Sequence, residues 1–299
     1  QGGFSKKPLY TARVLLYNRY RYNRYYMRTV FGSWKYIFRN LWFLLPFAVI
    51  PAVFMALSLD YRCISEVVCG YFTGTPQAEF LEFFHAWSFI RFDSVLGAVY
   101  SLLAVVCIFL FMAALLAFVE KHMKLGKRTF GGVAAQFKNV LLPALFITLL
   151  YVVLYEIWAV VLSAVLYVIS QVDTLAVAYL LYTVAVLLFL FVLIYLATMF
   201  YLWLPCKMMT GFRFFDAFLY SYRLMVERRW KLVLSYAISV AALVVVLSGC
   251  AFLPDFAFRI AGIVLFAFLF LNFCVRMEVV YFDADKLDRE DELHSYRRY

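Results

Sequence analysis

Residues 94–119 read SVLGAVYSLLAVVCIFLFMAALLAFV, an unbroken run without a charged side chain. A helix needs roughly 20 predominantly apolar residues to cross the hydrocarbon core of a bilayer, so this run predicts a membrane-spanning helix. Other apolar runs of similar length recur along the chain. The sequence predicts six spans, at Leu41–Leu59, Ser94–Val119, Val140–Val165, Thr174–Leu204, Leu232–Phe252 and Arg259–Val275.

The composition supports the same fold class. Hydrophobic residues make up 66% of the 299-residue chain and charged residues 15%, whereas soluble domains are roughly 25% charged. Six spans with their connections use most of the length. We therefore expect an all-α integral membrane protein, with residues 1–299 forming a single membrane domain and no room for a separate catalytic domain.

The distribution of charge predicts the topology. The segments 1–40, 120–139 and 205–231 are rich in Lys and Arg, whereas the intervening segments 60–92, 166–173 and 253–258 contain few basic residues or none. Because Lys and Arg accumulate in cytoplasmic loops, both termini are predicted on the cytoplasmic side of the cell membrane. The net charge of +10 then indicates anionic lipid headgroups as partners, not nucleic acid.

A repeated motif predicts internal symmetry. Phe31-Gly32 precedes Phe38-Arg39-Asn40, and Phe130-Gly131 precedes Phe137-Lys138-Asn139 at the same spacing. A weaker third copy spans 214–231. Each copy is interpreted as a basic amphipathic helix followed by a two-span hairpin, in units of about 29–119, 128–204 and 211–276. Units that each restart from the cytoplasm would be parallel repeats related by an axis along the membrane normal.

Basic residues beside the spans are predicted to anchor interfacial helices. Residues 10–28 interleave tyrosines with arginines, a pattern typical of the headgroup zone; a docking arm for a partner protein is the alternative. Residues 283–299 form a predicted acidic cytoplasmic tail. The proposed anchors are Arg21, Arg24, Arg28, Arg39, Lys138, Arg229 and Lys231.

The third copy carries a family resemblance. Phe215-Asp216-Ala217-Phe218, followed by Ser221, Arg223 and Arg229-Trp230-Lys231, resembles a segment of bacterial multispan membrane proteins of the DUF975 type. It is also similar to the membrane domain attached to some glycerophosphodiester phosphodiesterases. The resemblance covers about half the chain and implies a bacterial membrane module. It implies no catalytic residues, because no phosphodiesterase domain follows.

A few polar residues are candidates for an intramembrane site. Glu156 is predicted well inside the third span, where a carboxylate costs roughly 2.5–3.5 kcal/mol on insertion scales. It is interpreted either as a proton or cation site or as a buried carboxyl that fixes packing. Asn272 is a candidate for hydrogen bonding between helices, and Arg276 is interpreted as a basic anchor. Asp255 and Arg259 stand four residues apart and are predicted to form an ion pair at a helix entrance.

Neither a metal site nor a cofactor is predicted. The three histidines are divided between the two sides of the predicted topology, and motifs for zinc, nucleotide or serine-hydrolase chemistry do not occur. Cys63 and Cys69 share the loop predicted outside, where an oxidising compartment permits a disulfide between them. The remaining cysteines lie in or beside apolar runs.

These features favour a non-enzymatic scaffold or an accessory subunit of a membrane complex, with a membrane-protein partner or a second copy of the chain. The alternative is a transporter or a lipid-handling protein that uses Glu156, since transporters bury ionisable groups near repeat interfaces. An intramembrane enzyme has no specific support in the sequence.

Overall fold

The computed structural model describes residues 7–58, 79–128, 131–172, 174–226, 228–250, 254–285, 287 and 289, with the backbone alone for residues 7–31, 175, 247, 248 and 255. The described chain is helical and contains no strand. Its helices are α1 (Lys7–Ser58), α2 (Phe80–Trp87), α3 (Val95–Leu125), α4 (Val133–Ser170), α5 (Leu175–Met199), α6 (Trp203–Thr210), α7 (Phe214–Met225), α8 (Arg229–Cys250) and α9 (Asp255–Ala284).

Six segments of this fold are long and apolar enough to cross a membrane, which confirms the predicted all-α multispan class. They are Gly32–Ser58, Val95–Leu125, Val133–Ser170, Ala176–Thr210, Arg229–Val246 and Phe256–Ala284. Each overlaps one predicted span. The chain is therefore a polytopic membrane protein.

The first helix begins far before the predicted first span. Helix α1 starts at Lys7 and is interrupted at Asn40, whose φ of −117° and ψ of 15° are not helical. The Asn40 side chain is buried and donates to the Tyr36 carbonyl oxygen at 2.9 Å, so it bonds the backbone locally at the kink. The basic segment before Asn40 is thus a helix joined directly to the first span.

The ends of two predicted spans were wrong. The chain leaves the helix at residues 200–202, between α5 and α6. Pro205 explains the break, because its ring clashes with the carbonyl of the residue four positions earlier, Tyr201, and it has no N–H to donate. The last span was predicted to end at Val275, yet α9 continues to Ala284, since apolar residues resume at Met277.

Spanning segments that follow one another along the chain alternate in direction, so α3 and α9, which also pack together, run parallel. Near one end of the bundle, contacts join the end of α3 to the start of α4, the end of α5 to the start of α8, and the second half of α9 to the start of α8. We call the end that holds Leu125, Val133 and Arg229 the basic end. Among described residues from 32 onward, Arg91 and Arg259 lie at the opposite end, and the other Lys and Arg residues lie at the basic end.

Three apolar cores hold the bundle together, the smallest of which packs Phe89 against Ala104 and Val105 of α3. The larger core surrounds the inner half of α9 and includes residues of α1, α3, α4, α6, α7 and α8, with Leu44, Leu116 and Cys274 fully buried. A smaller core at the opposite end joins α2, α4 and α5 around Phe83 and Leu162. Burying a polar side chain in such a core costs free energy unless it is hydrogen-bonded, so the polar residues that enter these cores are candidates for a functional role.

The predicted repeats stay a prediction. In the third unit a separate short helix, α7, precedes the spanning helix α8. In the second unit Phe137-Lys138-Asn139 lies inside α4, so the basic motif and the span share one helix. In the first unit the motif ends at the kink at Asn40.

Candidate functional site

Glu156 binds the segment that joins α2 to α3. Its Oε2 accepts a hydrogen bond from the Ser88 hydroxyl at 2.8 Å, and its Oε1 accepts one from the Ile90 N–H at 2.9 Å. We call residues 88–94 the α2–α3 linker. Glu156 therefore lies at the level where α3 begins, near the end of the bundle opposite the basic end. The arrangement satisfies both carboxylate oxygens.

Aromatic packing surrounds this contact. The Phe89 and Tyr155 rings meet edge to face with centroids 6.2 Å apart, and the Trp87 and Trp158 rings do so at 5.9 Å. Such pairs contribute about 0.5–1.5 kcal/mol beyond their burial. Glu156 and these rings together hold the α2–α3 linker against α4.

The α2–α3 linker ends in a capped helix start. Ser94 Oγ accepts the Gly97 N–H at 3.1 Å and so caps α3, and the Arg91 N–H donates to Ser101 Oγ at 3.2 Å. The Arg91 guanidinium also donates to Asp93 at 2.6 Å and lowers the pKa of that carboxyl. These hydrogen bonds fix the conformation of the α2–α3 linker and the start of α3.

Asn272 and Arg276 lie together at the buried face of α9. The Arg276 guanidinium donates to Asn272 Oδ1 at 2.9 Å and to Ser235 Oγ of α8 at 2.6 Å, and it lies 4.9 Å from the Tyr236 ring centroid. Asn272 thus accepts a hydrogen bond from its own helix, and Arg276 makes the contact between helices. The interpretation of Arg276 as a surface anchor was wrong, because the residue is 1% exposed.

Two buried carboxyl groups lie near the basic end. Glu120 of α3 is 1% exposed; its Oε1 accepts the Lys124 ammonium at 2.5 Å and its Oε2 accepts the Gln136 amide of α4. Glu278 of α9 is fully buried, and within the described part of the chain neither of its oxygens has a hydrogen-bond partner. Glu120 and Lys124 are the charged residues that act on it. We call Glu120 and Glu278 the carboxyl pair.

Two further polar contacts lie near the basic end. His122 Nδ1 and the Tyr36 hydroxyl are 2.7 Å apart, joining α3 to α1. Tyr220 of α7 donates to Asp285 at 2.7 Å, and this bond raises the pKa of Tyr220 to about 12. The latter contact fixes α7 to the end of α9.

The predicted anchors fall into three groups. Arg39 and Lys138 are exposed near the basic end. Arg229 and Lys231 are half-buried, and Arg229 donates to the Tyr195 hydroxyl at 3.0 Å while its guanidinium carbon lies 4.8 Å from the Tyr222 ring centroid. The side chains of Arg21, Arg24 and Arg28 lie outside the described residues.

Two further predictions, a disulfide and an ion pair, involve residues that the structure does not describe in full. Cys63 and Cys69 belong to the undescribed residues 59–78, so their disulfide stays a prediction. Helix α9 begins at Asp255, whose side chain is not described, and Arg259 is exposed. Within the described ranges no three His, Cys, Asp or Glu side chains are grouped as metal ligands would be.

Sequence reasoning missed the carboxyl pair and the burial of Arg276. It ended the last span at Val275 because a charged residue follows, and it counted Glu120 with a connecting segment. The apolar run Val279-Val280-Tyr281-Phe282 was the available signal, since it places Arg276 and Glu278 inside a longer apolar helix. Intramembrane ionisable residues generally face the interior of a helix bundle.

No protein-family model matches the chain, and no curated protein or solved structure shows significant similarity to it.

Proposed function

We propose that this polytopic membrane protein is a non-enzymatic scaffold or accessory subunit of a cell-membrane complex, with both termini in the cytoplasm. The observation that supports the proposal is the role of Glu156. This carboxylate, the most conspicuous candidate for chemistry in the sequence, accepts two hydrogen bonds from the α2–α3 linker. A residue that is satisfied in this way stabilises the fold and has little capacity left for a substrate.

The exposed surface is consistent with a module that contacts lipid and other membrane helices. Helix α5 is apolar throughout and exposes large side chains along most of its length, among them Leu180, Leu187 and Phe191. At the basic end, exposed Arg39, Lys127 and Lys138 are placed to meet anionic headgroups, each contributing about 1 kcal/mol near such a surface. The positive-inside bias supports the cytoplasmic assignment of this end.

The transporter or lipid-handling alternative requires an ionisable group among the spanning helices that is not already hydrogen-bonded within the fold. Glu156 supplies the weaker support for it, because its oxygens already have partners. The carboxyl pair supplies the stronger support, since Glu278 is buried without one. The expected resemblance to multispan bacterial membrane proteins concerns architecture and carries no catalytic residue, so it does not support an enzyme.

The scaffold proposal is tested by native mass spectrometry of the full chain, extracted from its own cells in polymer-bounded lipid particles. We expect a complex of fixed stoichiometry that contains a second membrane protein or a second copy of the 34.9-kDa chain. The same extraction from cells with an untagged chain is the control. A lone chain with lipid, together with solute flux or lipid transfer after reconstitution, would contradict the proposal.

A further inference from the structure

Glu278 is buried in a way that an ionised carboxylate does not tolerate. Its side chain is fully buried, in the larger apolar core between Met277 and Val279. Both oxygens lack a hydrogen-bond partner in the described chain. Buried charges in proteins are paired or coordinated, and otherwise the group becomes neutral by taking up a proton. The neutral acid is the form that this environment favours.

The neighbouring charges also favour the neutral, protonated form of Glu278. Glu120 and Lys124 both act on Glu278, and Lys124 is bonded to Glu120 at 2.5 Å. The ammonium charge is thus already balanced by one carboxylate. If Glu278 were also ionised, Glu120, Lys124 and Glu278 together would carry one uncompensated negative charge. A single proton on Glu278 removes that charge.

Other titratable residues lie on the elements packed against α9 near this end. The hydroxyl of Tyr36 on α1 is bonded to His122 on α3, and Cys274, one turn before Glu278, is fully buried. The Tyr236 hydroxyl of α8 is bonded to that of Tyr201. Further charged or titratable residues near this end are Lys35 and Arg39 on α1, Lys121 on α3, Cys206 and Lys207 on α6, Arg229 and Lys231 on α8, and Arg276, Tyr281, Asp283 and Asp285 on α9 itself.

The ion pair that acts on Glu278 has one exposed member. Lys124 is 45% exposed, whereas its partner Glu120 is 1% exposed. The ion pair therefore reaches from the basic end to the buried region where Glu278 lies.

We propose that Glu278 is an intramembrane proton-binding site, which exchanges its proton with water at the basic end past Glu120 and Lys124. In the loading step an O–H bond of hydronium breaks and an O–H bond forms on the Glu278 carboxyl; release is the reverse, and no other reactant takes part. Glu120 and Lys124 are positioning residues that set how tightly the proton is held. The site is independent of the scaffold role.

The test is infrared spectroscopy of the full chain reconstituted in lipid nanodiscs. A protonated carboxyl gives a carbonyl stretching band that a carboxylate lacks. We expect this band at neutral pH, and its loss in Glu278→Gln. Glu156→Gln is the matched control and should retain the band. In Glu120→Gln a neighbouring negative charge is removed, so the band should disappear at lower pH than in the parent protein.

A second measurement avoids dependence on a variant's folding. A hydrophobic carbodiimide reacts with protonated carboxyl groups, and peptide mass spectrometry of the labelled parent protein locates the adduct. We expect labelling at Glu278 that falls as pH rises. Absence of the band or of the adduct at neutral pH would overturn the proposal. So would protection of Glu278 by sodium at constant pH, which would assign the site to a metal cation.

Discussion

At the residue scale, the hydrogen bond between Ser88 and Glu156 has a measurable energy. Ser88→Ala removes the donor, and we expect the free energy of unfolding to fall by about 0.5–1.5 kcal/mol. Glu156→Gln replaces one acceptor oxygen by a donor, which should cost about 1–3 kcal/mol. The double variant should lose less than the sum, because both changes break one contact. Detergent unfolding followed by fluorescence of the adjacent Trp87–Trp158 pair measures these values.

The control for this double-mutant cycle of Ser88 and Glu156 is Thr183→Ala. The Thr183 hydroxyl donates to the Tyr179 carbonyl on the exposed surface of α5, so its loss should change stability little and should add independently to Glu156→Gln. Strictly additive effects of Ser88→Ala and Glu156→Gln would show that the two side chains do not interact.

The sequence alone could not assign the roles of Glu156 and Arg276. Sequence reasoning noticed Glu156 because a carboxylate in an apolar run is conspicuous, but its partners lie 66 and 68 positions earlier in the chain. Arg276 was misread because a basic residue at the end of an apolar run usually faces the headgroups. Its burial depends on Ser235 of another helix, which no local pattern reveals.

At the element scale, the start of α3 depends on a glycine. A Cβ at Gly97 would lie 2.7 Å from Ser94 Oγ, the capping atom, and 2.9 Å from Arg91 Cβ. We therefore expect Gly97→Ala to displace the cap and the α2–α3 linker, at a cost of about 1–3 kcal/mol, as is typical of overpacking. Thermal unfolding in detergent and cysteine accessibility of the linker measure the effect.

Gly262→Ala is the matched control, since it lies in α9 and a Cβ there would meet only the Ala56 Cβ at 3.8 Å. Alanine is favoured over glycine in a helix by about 0.8–1 kcal/mol, so this variant should be unchanged or more stable. Equal behaviour of the two variants would rule out the proposed crowding at Gly97.

Spanning helices were predicted correctly where the apolar run is long. Their ends were misplaced where contacts with other helices determine them. The run 94–119 predicted α3 well, because length and hydropathy alone identify a spanning helix. The break before α6 required reading Pro205 as a helix terminator. The inner end of α9 required giving more weight to the apolar run at residues 279–282 than to the charges of Arg276 and Glu278.

At the scale of the whole molecule, the antiparallel order of the spans gathers the basic residues at one end. That segregation was predictable, because the cost of moving Lys and Arg through hydrocarbon acts on each loop separately. The carboxyl pair was not predictable, because it requires α3 and α9 to be neighbours although they are far apart in sequence.

The most direct test of this membrane architecture is labelling of single cysteines at Lys127 and Gln171, which are exposed at opposite ends of the bundle. The variants are made in a background without the native cysteines and treated with a membrane-impermeant maleimide in sealed vesicles of known orientation. We expect position 127 to react from the cytoplasmic face only and position 171 from the other face only. Reaction of both positions from the same face would contradict the account.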